Sequence, residues 1–158
     1  MSEKNNSITF QFISEPSDVN FGGKVHGGVV MKWIDQTAYV CARNWAETYC
    51  VTVYVGGIRF YRPISIGDII KINAAVIYTG NTSIHIAVDV YARRIESADF
   101  EKKTHCIIVF VSVDEDGKPQ YVKQWTPTTQ VEQKMEQYAI KLRELRESIE
   151  QEMQEFME

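Results

Sequence analysis

Apolar and polar residues alternate over 7–13 (SITFQFI), the two-residue period of a strand, and give way at 14–23 (SEPSDVNFGG) to a loop rich in Pro, Asp, Asn and Gly. From Gly27 the period lengthens. Val30, Trp33, Ile34, Ala38, Cys41, Ala42 and Trp45 recur at three- and four-residue steps, which predicts a long, mostly buried helix ending near Ala46. Four strand candidates follow at 51–62, 68–79, 82–95 and 104–114. In the third, Ile84, Ile86, Val88, Val90 and Ala92 share one face, and Ser83, His85, Asp89, Tyr91 and Arg93 the other, so one face is expected to be packed and the other polar. The segment TGNTS (79–83) reads as a hairpin and DEDGKP (114–119) as a turn, and such short links favour an antiparallel meander. From Gln130 onward, apolar residues at 131, 135, 138, 142, 145, 149, 153 and 156 mark a second helix. Its seam suits either packing on its own domain or pairing with another subunit.

Strand, long apolar helix, four strands, terminal helix: this order defines an α+β chain in which one twisted sheet wraps a central helix. A sheet with a single covering helix leaves an edge open, and pairing two copies edge to edge would close it. The expected division is a domain over 1–128 and an acidic amphipathic helix over 129–158.

Composition narrows the class. With 158 residues, 44% apolar and 24% charged, the chain suits one well-packed core. It contains no apolar run of about 18 residues and begins without a basic-then-apolar leader, so a cytoplasmic protein with no membrane insertion is expected. Cys41, Cys50 and Cys106 lack CxxC spacing and read as reduced, structural residues; no metal site is expected. The net charge of −4 resides in the tail, because residues 1–129 carry 13 acidic and 13 basic side chains. That balance argues against a nucleic-acid partner.

The chemistry gathers in Asn20–Asp35, NFGGKVHGGVVMKWID. Glycines at a helix start let a ligand approach the unpaired N–H groups there, so Gly27 and Gly28 suit an oxyanion or a polarised carbonyl oxygen. Asp35 falls mid-helix beside apolar residues, which makes it a candidate general base or nucleophile; the competing reading is a solvent-facing acid on a stripe with Lys24, Lys32 and Gln36. Gly27 and Asp35 are separated by about 12 Å of helix axis, so one helix cannot present both to one carbonyl carbon. If both act on one substrate, the site is shared between two copies. Asn20 offers a side-chain amide donor, or a turn residue before the glycines; His26 either lines the pocket or bonds the local backbone.

These residues resemble the hotdog-fold acyl-CoA thioesterases, in particular the broad-specificity cytosolic acyl-CoA hydrolases. The resemblance rests on Asn20, Gly23, Gly27, Gly28, Trp33, Ile34, Asp35 and Ala38, and on the stretches 51–68, 80–94 and 110–119. It implies a hotdog fold, dimers assembled as trimers of dimers, and hydrolysis of fatty acyl-CoA to fatty acid and CoA. Asp35 would then be base or nucleophile, with Asn20 and the Gly27 and Gly28 amides supplied by the partner subunit. His26, Arg59, Phe60, Arg62, Thr82, Ser83 and Arg93 are expected to bind substrate, and no cofactor is implied beyond the CoA of the substrate. The alternatives are a non-catalytic acyl-CoA or acyl-carrier sensor, against which Asn20 and Asp35 both argue, and a lyase on acyl thioesters, which typically places a His and an acid on separate motifs.

Overall fold

A computed structural model describes residues 6–157; residues 1–5 and 158, at the outer ends of the two expected units, lie outside it. Strand β1 (Ser7–Ile13) is followed by a 3-10 turn at Pro16–Asp18 and by helix α1 (Gly27–Ala46). Strands β2 (Cys50–Phe60), β3 (Ile69–Thr79), β4 (Ser83–Arg93) and β5 (Glu101–Ser112) come next, and helix α2 (Gln130–Met157) ends the chain. The period changes in the sequence therefore mark the elements closely.

Helix α1 packs against all five strands and buries the expected face: Val30, Ile34, Ala38, Cys41, Ala42 and Trp45 lie in the main core with the inward residues of the sheet. Each fully buried Ile or Val of this set contributes roughly 1.5–3 kcal/mol relative to exposure. Glu47 stops the helix by adopting a left-handed conformation (φ 59°), its N–H donating to the Arg43 carbonyl at 2.8 Å.

The sheet is antiparallel in the order β1-β3-β4-β5-β2, which corrects the meander expectation. Strands β3, β4 and β5 are consecutive neighbours, but β2 crosses to the far edge and pairs with β5. The link over 61–68 spans the sheet end because the loop before α1 holds it there: Val25 N–H donates to Ile64 O at 2.9 Å and Ser14 N–H to Asp68 O at 3.0 Å. A link tied to another segment does not fold back as a tight hairpin. Strands β1 and β2 are left as the two edges.

The outward face of β4 is also corrected. His85 and Ala87 are buried there, because the first half of α2 lies on that face through Met135, Tyr138, Ala139 and Leu142. Of the two readings of the terminal seam, packing on its own sheet holds for this half. Leu145, Ile149, Met153 and Phe156 in the second half are exposed.

Candidate functional site

The loop before α1 is organised by Asn20. Its Oδ1 accepts the N–H groups of Gly22 and Lys24, each at 2.9 Å, and its carbonyl accepts the Gly23 N–H at 3.2 Å, with Gly23 at φ 79°. Two backbone donors around one side-chain atom identify that atom as the oxygen. The Asn20 amide nitrogen is thereby left as the group available to a ligand. Asn20 is thus a turn residue and an oriented donor together.

At the helix start the structure separates the two glycines. His26 is the N-cap: its Nδ1 accepts the Gly28 N–H at 2.8 Å, and its carbonyl accepts those of Val29 and Val30. The Gly28 amide, expected with that of Gly27 as a ligand donor, is therefore already hydrogen-bonded within the chain. Gly27 N–H has no acceptor among the described residues, and it carries the positive end of a 20-residue helix. A cavity of about 290 Å³ opens beside it, bordered by Val25, Val30, Phe60, Arg62 and Thr104. Of the expected substrate-binding residues, Phe60 and Arg62 reach this cavity, and Arg62 is ion-paired with Glu101. Arg59 is exposed with its guanidinium 5.6 Å from the Tyr61 ring centre.

Asp35 is exposed in the single chain, so the reading of a solvent-facing acid holds there. It is not free, however: Thr52 Oγ1 donates to Asp35 Oδ1 at 3.2 Å. Thr52 lies near the start of β2, while Phe60, whose ring end would come 3.9 Å from a Cβ on Gly27, lies at its end. One chain thus holds its carboxylate and its open helix N-terminus at opposite ends of the same edge strand. Between them β2 exposes Val53, Val55 and Ile58, an apolar edge. Thr52 was not singled out in the sequence, where a threonine in a strand carries no signal; only the register of α1 against β2 pairs it with Asp35.

The remaining expected contacts fall elsewhere. Arg93, expected to bind substrate, donates from Nη1 to the Ser97 carbonyl at 2.7 Å and lies near those of Arg94 and Ile95, so its guanidinium closes its own loop. Thr82 and Ser83 form the β3–β4 hairpin at the Asp35 end of the sheet, since Ile84 and Thr52 both register with Phe110. The Ser83 hydroxyl is 3.2 Å from His85 Nε2, on the face covered by α2.

Titrating groups outside this region look structural. Burial, reinforced by Arg146 and Arg143, pushes His85 down to about 4. His105 bridges Asp89 Oδ1 (2.8 Å) and the Tyr138 hydroxyl (3.0 Å), fastening α2 to the sheet. Burial opposes the Asp89 charge, but hydrogen bonds from His105 and Lys102 outweigh it and hold its carboxyl below the usual range. Burial pushes the Cys41 and Cys106 thiols up to about 12, so neither is a thiolate near neutral pH.

A five-stranded antiparallel sheet around one long helix is the hotdog fold. A family model described as the thioesterase superfamily matches residues 22–98. The chain is 30% identical over 139 residues to protein VdlD of Helicobacter pylori, covering 88% of this chain and 79% of that one. It is 32% identical over 115 residues to the acyl-CoA thioester hydrolase YciA of Salmonella typhimurium, covering 71% and 86%. Among solved structures, an acyl-CoA hydrolase from Staphylococcus aureus in complex with butyryl coenzyme A, coenzyme A and coenzyme A disulfide superposes with a TM-score of 0.89 at 25% identity, covering 98% and 93%. A hexameric hotdog fold thioesterase of Campylobacter jejuni superposes with a TM-score of 0.67 at 32% identity, covering 72% and 88%. The chain belongs to the thioesterase superfamily.

Proposed function

We propose that this protein hydrolyses acyl-CoA thioesters to the carboxylic acid and CoA in a site shared by two copies. The observation that carries the proposal is the division along β2: Asp35 with Thr52 at one end, the Gly27 cavity with Phe60 at the other, and an apolar open edge between. Two β2 edges paired antiparallel about a two-fold axis near Gly56 put the carboxylate of each copy against the cavity of the other. Relatives support this reading. In the staphylococcal hydrolase an asparagine, an aspartate and a threonine have each been replaced by alanine, and their order and separations equal those of Asn20, Asp35 and Thr52. The structurally similar thioesterases of Yersinia pestis and Campylobacter jejuni are hexameric, which suits a trimer of such dimers here.

In this site the thioester carbonyl oxygen faces the Gly27 N–H, and the Asn20 amide holds the substrate or the attacking water. Asp35 takes a proton from that water as its oxygen bonds to the carbonyl carbon; the C–S bond then breaks and CoA leaves as the thiolate. The hairpin at Thr82 and Ser83, at the Asp35 end, and the cations Arg59 and Arg62, at the cavity end, flank the path of the CoA moiety.

The test is release of free thiol from acyl-CoAs from acetyl to palmitoyl. Wild type should release CoA, and Asp35→Asn should lower kcat by roughly 100-fold or more. The proposal fails if wild type releases none from any chain length, or if Asp35→Asn retains the full rate. Mixed Asn20→Ala and Asp35→Asn proteins should regain activity on subunit exchange, since one of the two sites in the mixed dimer is then intact; no recovery means that each copy works alone.

A further inference from the structure

Resting on the β2-edge pairing of the thioesterase reading, we propose that the second half of α2 docks on a second copy of this chain, lying over its sheet and antiparallel to its α2. Helix α2 is longer than the sheet it covers. The chain enters it beside β3, where Trp125 N–H donates to Thr79 Oγ1 at 3.1 Å shortly before the helix begins. Ala139 is then buried against the middle of the sheet, and a Cβ on Gly57 would lie 3.7 Å from Tyr138 Oη and 3.8 Å from Leu142 Cδ1. The Arg146 guanidinium sits 4.9 Å from the Tyr54 ring centre. Gly57 and Tyr54 belong to β2, the edge strand, so by Arg146 the helix has crossed the sheet. The remainder, as far as Met157, extends about 16 Å past that edge.

The overhanging half carries the same apolar face as the packed half. Tyr138, Leu142, Leu145, Ile149, Met153 and Phe156 follow one another at steps of three and four, so the face that meets the sheet under Tyr138 and Leu142 points the same way beyond the edge. There it is bare: Leu145 is 49% exposed, Ile149 54%, Met153 51% and Phe156 83%. Across paired β2 edges the sheet of the second copy continues in the same layer, and an overhang of about 16 Å spans about three of its strands. A second copy therefore supplies the surface that the first one lacks.

Charge selects the same occupant. Lys134, Lys141, Ser148 and Glu155 recur every seven residues and share one flank of α2, basic in its first half and acidic at its end. On the opposite flank the charges are matched within the helix, Arg143 with Glu147 and Arg146 with Glu150, each at 3.8 Å. Lys134, Lys141 and Glu155 have no ion pair among the described residues. A two-fold axis at β2 sets two such helices antiparallel, symmetric about the residues that cross the edge, between Leu142 and Arg146. Lys134 of each copy then lies opposite Glu155 of the other, and Lys141 opposite Ser148. Parallel pairing would instead set Glu155 against Glu155 and Lys134 against Lys134.

The test uses the full chain. Lys134→Cys/Glu155→Cys, treated with a short bis-maleimide, should give a covalent dimer, whereas wild type and either single variant should not. Cys41, Cys50 and Cys106 are buried, and antiparallel packing holds the two copies of position 134, or of position 155, roughly 30 Å apart. Within one helix, positions 134 and 155 are equally distant, so the linker cannot close inside a single chain. Ile149→Asp should raise the dissociation constant of the dimer at least about 30-fold in sedimentation velocity, with its far-UV circular dichroism unchanged. The inference is overturned if the double variant gives no covalent dimer, if a single variant cross-links as well as the double, or if Ile149→Asp assembles as tightly as wild type. Thiol release decides the thioesterase reading separately. An active wild type with any of those outcomes leaves that reading standing, and an inactive wild type whose double variant cross-links as expected leaves only the docking.

Discussion

Lowering the pH from 7 to 5 should destabilise the fold through His85, a residue buried on the sheet face that α2 covers. In the folded chain its imidazole is 3% exposed and held to about 4, against an ordinary 6.5, by burial and by the nearby Arg146 and Arg143. The unfolded chain therefore takes up its proton first. Stability from this group is complete above the unfolded value, is lost as pH falls from there toward the folded value, and falls no further once both states are protonated. For these two values the loss between pH 7 and pH 5 is about 2 kcal/mol, or a drop in Tm of about 4–8 °C for a chain of this size. Asp89 does not contribute in this window, because its folded value lies below an unfolded value of 3.8 and its stabilisation is lost only in more acidic solution. Urea titrations of wild type and His85→Gln at pH 7 and 5, at one protein concentration, measure the difference. Glutamine leaves a polar side chain beside the Ser83 hydroxyl but cannot titrate. If both proteins lose the same stability on acidification, His85 is not the group responsible.

Three further outcomes follow from individual contacts. Thr52→Val removes the donor to Asp35 Oδ1 and should reduce kcat about 3- to 10-fold, in line with a hydrogen bond of roughly 1 kcal/mol, with Tm unchanged in a thermal melt. Tyr138→Phe removes the hydroxyl that meets His105 Nε2 at 3.0 Å and should cost about 1 kcal/mol in urea unfolding, whereas activity per folded molecule should hold. Gly57→Ala forces a side chain into φ 59° at the β2 bulge and should cost roughly 1–2 kcal/mol by the same assay, although a Cβ there would meet nothing closer than 3.7 Å.

The elements were legible because hydrophobic period is a local property. The three- and four-residue steps from Val30 to Trp45 and the alternation from Ile84 to Ala92 carry α1 and β4 within a residue or two of their observed ends. The separation that the proposed two-copy site answers was also implicit in the chain, since eight residues of helix stand between Gly27 and Asp35 whatever surrounds them. Tertiary structure decided the rest, because hydrogen-bond partners and faces depend on residues far apart in sequence. The register of β2 against α1 gave Asp35 its threonine, and the Val25–Ile64 backbone bond helped carry β2 to the far edge of the sheet. Packing of α2 turned the polar face of β4 into an interior that keeps His85 neutral. Competition for donors mattered as much: His26 claimed the Gly28 amide and Arg93 closed its own loop, while Thr104, an ordinary strand residue in the sequence, was left with a buried hydroxyl that has no hydrogen-bond partner. Residue types state which bonds a chain is able to make, and only the fold determines which of them are already made.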